Sequence, residues 1–189
     1  MRNTLLDGSD QKPRILETIE GILAQFIDLR LPEKVHPGQY DWANLEGDIL
    51  NQFGIRIRTE DLQGLDRRSA ETTIHDQLLK RYQEKEDMLG TDLLREAERM
   101  IMLNVIDNQW KDHLLSMDHL KEGIGMRAYG QKDPLIEYKK ESFVMFQDMM
   151  DRIEDETIRF LFFLQRGEDE PRQMPNLPYP EVWDDEPEE

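Results

Sequence analysis

Two stretches of equal length, TDLLREAERMIMLNVIDNQWKDHLLSMDHLKE (91–122) and PLIEYKKESFVMFQDMMDRIEDETIRFLFFLQ (134–165), decide the fold of this chain. In the first, Leu103, Ile106, Trp110, Leu114, Met117, Leu120 and Ile124 recur every third or fourth residue, the spacing of a coiled-coil seam. In the second, Ile136, Phe143, Phe146, Met150, Ile153, Phe160 and Leu164 keep that spacing, with Lys139 and Thr157 as its only breaks. Each stretch therefore reads as a helix with one stripe to bury. At about 1.5 Å per residue each arm would run roughly 48 Å, and equal arms suit antiparallel packing. Between them Gly123 and Gly125 weaken the end of the first helix, Asp133 caps the second and Pro134 opens it. The expected fold is all-α: a long antiparallel two-helix hairpin whose seam includes Trp110, Leu114, Met117, Phe143, Phe146 and Met150.

The residues before the hairpin supply a smaller helical bundle. Residues 1–12 lack periodicity and read as a disordered lead-in. Pro13 opens a helix whose apolar face is Ile15, Leu16, Ile19, Ile22, Leu23, Phe26 and Ile27. Asp41 caps a short helix carrying Trp42, Leu45, Ile49, Leu50 and Phe53, and Gly54 is its left-handed stop. Residues 55–59 alternate but have no partner strand, so they read as extended linker. Ser69 caps a third helix bearing Ile74, Leu78, Leu79 and Tyr82, which ends near Gly90 and leads straight into the base of the hairpin. After Gln165, residues 166–189 hold five prolines and end in an acidic run, the composition of a disordered tail.

Charge and composition exclude several functions. Asp and Glu outnumber Lys and Arg by 41 to 24 over the 189 residues, and a formal charge of -17 repels phosphate backbones, so nucleic acid is not an expected partner. The absence of cysteine removes disulfides, thiolate catalysis and Cys-based zinc sites. The longest apolar run, Phe160–Leu164, is far short of the roughly 20 residues that cross a bilayer, so any membrane role is peripheral. No catalytic or metal-binding constellation emerges. Gly123, Gly125 and Gly130 do not form a phosphate loop, and His113 and His119 are six residues apart, about 240° around a helix. Asp107 with Lys111 and Glu137 with Lys140 have the spacing of a solvated helical face.

The turn between the arms is where function is expected. It places Met126, Arg127, Tyr129, Gln131 and Lys132 at an end that the hairpin itself cannot bury. A tyrosine ring contacts an unfolded chain of almost any sequence, and nearby cations bond its carbonyls. On the residues alone, packing of Tyr129 back onto Ile124 or Leu135 is an equal alternative.

Three segments, Val105–Leu114, Met117–Ile124 and above all Arg127-Ala128-Tyr129-Gly130-Gln131-Lys132-Asp133-Pro134-Leu135-Ile136-Glu137-Tyr138-Lys139, resemble the C-terminal part of the SecA family, the motors of bacterial protein export. The resemblance implies a helical wing domain at 13–92, a helical scaffold segment with a two-helix finger at 93–165, and the start of a linker at 166–189. It implies that the finger sits at the SecY channel complex with Tyr129, flanked by Met126, Arg127, Gln131 and Lys132, against the unfolded preprotein. It also implies a fragment that is not an enzyme on its own. The nucleotide-binding domains that take ATP and Mg, the preprotein cross-linking domain and the Cys-rich zinc tail would lie elsewhere, leaving no cofactor here. Localisation would be cytoplasmic, peripheral at the inner face of the bacterial plasma membrane, with acidic lipid met only through the intact protein. The rival expectation is a free-standing helical adaptor or dimerisation module.

Overall fold

The computed structural model describes residues 10–62, 64–127 and 133–165, and these fold into six α-helices with no strand among them. The first, α1 (Lys12–Arg30), buries Ile15, Ile19, Ile22, Leu23 and Ile27 on one face. Its end is closed by the Leu31 N–H donating to the Ile27 carbonyl at 2.8 Å. A 3-10 turn at Pro37–Gln39 follows, in which His36 Nδ1 accepts from the Gly38 N–H at 3.1 Å. That local bond gives His36 a turn-forming role. Helix α2 (Trp42–Phe53) starts where Asp41 accepts from the Asn44 N–H and stops at Gly54, both as the residues imply.

Residues after Gly54 differ from the expected linker only in detail. Ile57 and Leu62 are almost fully buried, and they bracket a single helical turn, α3 (Thr59–Leu62). Helix α4 (Arg67–Leu89) is capped by Asp66, not Ser69, because the Asp66 carboxylate reaches the Ser69 N–H at 2.7 Å. Gly90 alone separates it from α5 (Thr91–Arg127). Here the expected end near Glu122 is corrected: α5 runs through Gly123 and Gly125, since a helix-interior glycine costs only about 1 kcal/mol and does not by itself break a long helix. Helix α6 (Pro134–Phe163) begins with Asp133 accepting from the Leu135 N–H at 2.9 Å. The expected lead-in up to residue 9 and the tail at 166–189 lie outside the described residues.

One apolar core joins both halves of the chain. Alongside α1, α2 and α4 it takes Leu94 from the base of α5 and Ile158, Leu161 and Phe162 from the end of α6. Phe53 is its aromatic centre, edge-on to Phe26 at 6.4 Å and to Phe162 at 5.1 Å. Helices α5 and α6 also pack on each other. Val105, Met149 and Ile153 form a second cluster, and Gln109 meets residues 152 and 156 while His113 meets Phe146, so the two helices run antiparallel there.

Gly54 gives a direct check on this arrangement. Its φ of +63° is left-handed, and a Cβ would come 3.3 Å from the Phe163 ring. That ring is half exposed and can move, so Gly54→Ala is expected to cost about 1–2 kcal/mol from backbone strain. Urea unfolding should show a lowered midpoint with an unchanged slope.

Candidate functional site

The residues expected at the tip are placed only in part. Met126 and Arg127 fall in the last turn of α5, where the backbone alone is described, and Tyr129, Gln131 and Lys132 lie outside the described residues. What the structure defines is how the helices on either side of residues 128–132 are held.

The expected seam is corrected by one residue on α5, whereas on α6 the expected position Ile153 is buried between the helices, with Met150 and the α5 position Ile106 packed against it. On α5 the buried positions are Met102, Val105, Gln109 and His113, whereas Trp110 is 46% exposed and Leu114 49%. A shift of one residue rotates the stripe by about 100°. On α6 Met149, Ile153 and Thr157 are buried, Met150 is half-buried, and Phe143 and Phe146 are 60% and 43% exposed; Met117 on α5 is half-buried as well. On α5 the less apolar of two stripes thus faces inward, while α6 turns inward a stripe that includes the expected Ile153 and leaves Phe143 and Phe146 outside. The physical reason is a polar brace. Arg152 Nε donates to Gln109 Oε1 at 2.9 Å, and Gln109 Nε2 donates to Glu156 Oε1 at 2.9 Å. With the amide bonded at both ends, burying Gln109 carries no unsatisfied polar group. His113 is 7% exposed and lies 5.6 Å from the Trp110 ring and 6.0 Å from that of Phe146. His119 is exposed, so the two histidines do not converge.

Sequence reasoning placed the helix break near Gly90 but missed the side-chain network that spans it. One turn into α5, the Arg95 guanidinium donates to the Tyr82 hydroxyl at 2.7 Å, to Glu86 at 2.5 Å and to Glu98. The Tyr82 hydroxyl donates in turn to Glu98 Oε1 at 2.7 Å, and Lys12 of α1 closes the other side of Glu86 at 2.6 Å. Lys12 and Arg95 also stand 5.7 and 5.9 Å from the centre of the Tyr82 ring. Glu98 is fully buried, and burial pushes its carboxyl up while the Tyr82 and Arg95 bonds pull it down. Burial alone would lower the Arg95 guanidinium, but bonds to Tyr82, Glu98 and Glu86 hold it above its ordinary value. The Lys12 bond is the largest influence on Glu86, keeping its carboxyl below the usual range. The signal in the sequence was spacing: Tyr82 and Glu86 stand one turn apart before Gly90, and Arg95 and Glu98 one turn apart after it.

Lys85 makes a third tie. The residue is 3% exposed, and its ammonium donates to the Leu164 carbonyl at 2.5 Å, at the end of α6. Burial, helped by Arg81, lowers its pKa to about 8. A lysine depressed in the folded state binds fewer protons folded than unfolded between that value and its ordinary one. Stability is therefore expected to rise between about pH 8 and pH 10, on the order of 1–2 kcal/mol, and Lys85→Met should abolish the rise. Urea titrations across that window would check it.

Elsewhere, a groove of about 450 Å³ between α1 and α6 is lined by Arg14, Glu17, Asp151, Glu154 and Asp155 among others, with Arg14 paired to Glu154 at 3.6 Å. Among the described residues no cluster of His, Asp and Glu could hold a metal, and no helix is long and apolar enough to cross a membrane.

Fold and ties together define an all-α segment in which a small bundle is held at several points, Arg95, Phe162 and the Leu164 carbonyl among them, to an antiparallel helix pair. Residues 1–165 match the family described as the SecA Wing and Scaffold domain, and the chain belongs to that family. Among its relatives is a protein translocase subunit SecA of Solibacter usitatus (strain Ellin6076), 55% identical over 185 residues, which cover 98% of this chain and 19% of the relative. Those of Koribacter versatilis (strain Ellin345) and Acidobacterium capsulatum are 47% and 46% identical, over 87% and 93% of this chain and 17% and 18% of their own lengths. The chain thus spans about a fifth of the length of the curated relatives it matches.

Proposed function

We propose that this segment is the mechanical link of an ATP-driven protein export motor. Residues 13–92 act as a wing and 93–165 as a scaffold with a two-helix finger, whose tip, with Tyr129 at its centre and Met126, Arg127, Gln131 and Lys132 around it, contacts the unfolded preprotein at the SecY channel. ATP hydrolysis belongs to domains outside this chain, and the finger carries their movement to the polypeptide. The motor works from the cytoplasmic side, peripheral at the inner face of the plasma membrane. The family membership supports the translocation role, because the relatives are named as protein translocase subunits. The observation that carries the mechanical part is the anchoring of α5 and α6. A helix pair transmits displacement only if its base cannot slip, and here Arg95 ties the base of α5 while Phe162 and the Leu164 carbonyl tie the end of α6.

The test is made in a full-length motor bearing this segment. Val105→Ala with Ile153→Ala loosens the α5–α6 packing and is expected to cut preprotein transport per ATP hydrolysed severalfold, with ATP turnover retained. Transport and ATPase activity falling together, or neither changing, would count against the link. A second reading, a helical adaptor or dimerisation module, draws on the exposed Trp110, Leu114 and Phe143. An adaptor should bind its partner as the 189-residue chain alone, where a motor segment needs the rest of the motor.

A further inference from the structure

Helices α4 and α5 meet at one residue. Gly90 has a φ of +87°, its N–H donates to the Glu86 carbonyl at 2.8 Å, and its carbonyl accepts from the Leu94 N–H at 3.1 Å. With both helices running up to it, any change in the angle between bundle and helix pair must be absorbed there, and a glycine absorbs it at little steric cost. Nothing in the Gly90 backbone selects one angle. The side chains around it do: the planar fork of Arg95 reaches across the corner to Tyr82 and Glu86 on α4 and to Glu98 on its own helix, and Lys12 brings in α1. These acceptors lie on different elements, so all are satisfied together in only one relative orientation.

We infer that Arg95 is a positioning residue that latches a one-residue hinge at Gly90, setting the angle between the bundle and the α5–α6 pair. Glu98 belongs to the latch because it is fully buried and directs the guanidinium towards Tyr82. Tyr82 belongs to it because its hydroxyl accepts from Arg95 and donates to Glu98. The apolar contacts of Ile158, Leu161 and Phe162 remain when the latch is removed, so the bundle stays attached and the angle widens its range without being released. The inference concerns this chain alone and does not depend on what the tip touches.

The chain has no cysteine, so spin labels can be placed without background. Labels at Gln77→Cys on α4 and Lys121→Cys on α5, both exposed, report the angle; labels at Lys121→Cys and Asp151→Cys report the helix pair itself. In the parent, pulsed electron spin resonance should give a single narrow distance for both pairs. With Arg95→Ala the 77–121 distribution is expected to broaden about twofold or to gain a second distance, while the 121–151 distribution stays as in the parent. Tyr82→Phe, which keeps the ring and removes only the hydroxyl bridge, should give a smaller broadening in the same pair, and it decides the matter if Arg95→Ala loses its helical circular dichroism. Parent-like 77–121 widths in the folded variants, or equal broadening of the 121–151 pair, would overturn the latch.

Discussion

Phe53→Ala is expected to destabilise the chain by about 3–5 kcal/mol, the range for deleting a buried phenylalanine. Phe53 is 1% exposed and makes edge-on contacts with Phe26 of α1 and Phe162 of α6. Removing it opens a cavity where three helices meet, and neither neighbouring ring can fill it without leaving the other. For a chain of this length the loss corresponds to roughly 10 °C in the melting temperature. Because Phe53 sits between the bundle and the end of α6, protection of the α6 amides near Phe162 against hydrogen exchange should fall with that of α2. A loss confined to α2 would mean that α6 is not held by this core.

Arg95→Ala is expected to cost a similar amount, about 3–5 kcal/mol, for an electrostatic reason. It leaves the Glu98 carboxylate, fully buried, with only the Tyr82 hydroxyl as partner, and frees one side of Glu86. Stranding one charge is the costly step. Arg95→Met combined with Glu98→Leu, which removes both charges and keeps the volume, should recover much of the loss. Equal unfolding midpoints for Arg95→Ala and the parent would show the network to be energetically idle. Recovery would leave the angle unlatched, so stability and orientation separate in the double variant.

How far these features could be read from the residues follows from the range over which each is decided. Asp41 with Gly54, and Asp133 with Pro134, were readable because a cap bonds an amide two or three residues away. The apolar faces of α1 and α2 were readable because each helix has a single stripe. Helix α5 has two, and hydrophobicity alone selects Trp110 and Leu114 over Val105, Gln109 and His113; on α6 it finds Ile153 but also selects the exposed Phe143 and Phe146. What reverses the choice is the brace from Gln109 to Arg152 and Glu156, partners far off in the chain that make a buried amide inexpensive. The Tyr82–Glu86–Arg95–Glu98 network was hidden for the opposite reason. Its members are close in sequence, but Glu86 lies in a charged run that reads as a solvated face, and only the corner at Gly90 turns it inward.

The proposed link requires that position 129 meet the polypeptide being moved. The most direct measurement places a photo-crosslinking residue at position 129 of a full-length motor with a preprotein stalled in the channel. A crosslink to the preprotein at that position, lost when the probe is moved to Asp148 on the flank of α6, is the expected result. Crosslinks from position 129 only to the channel or to other parts of the motor, with the preprotein demonstrably engaged, would contradict it.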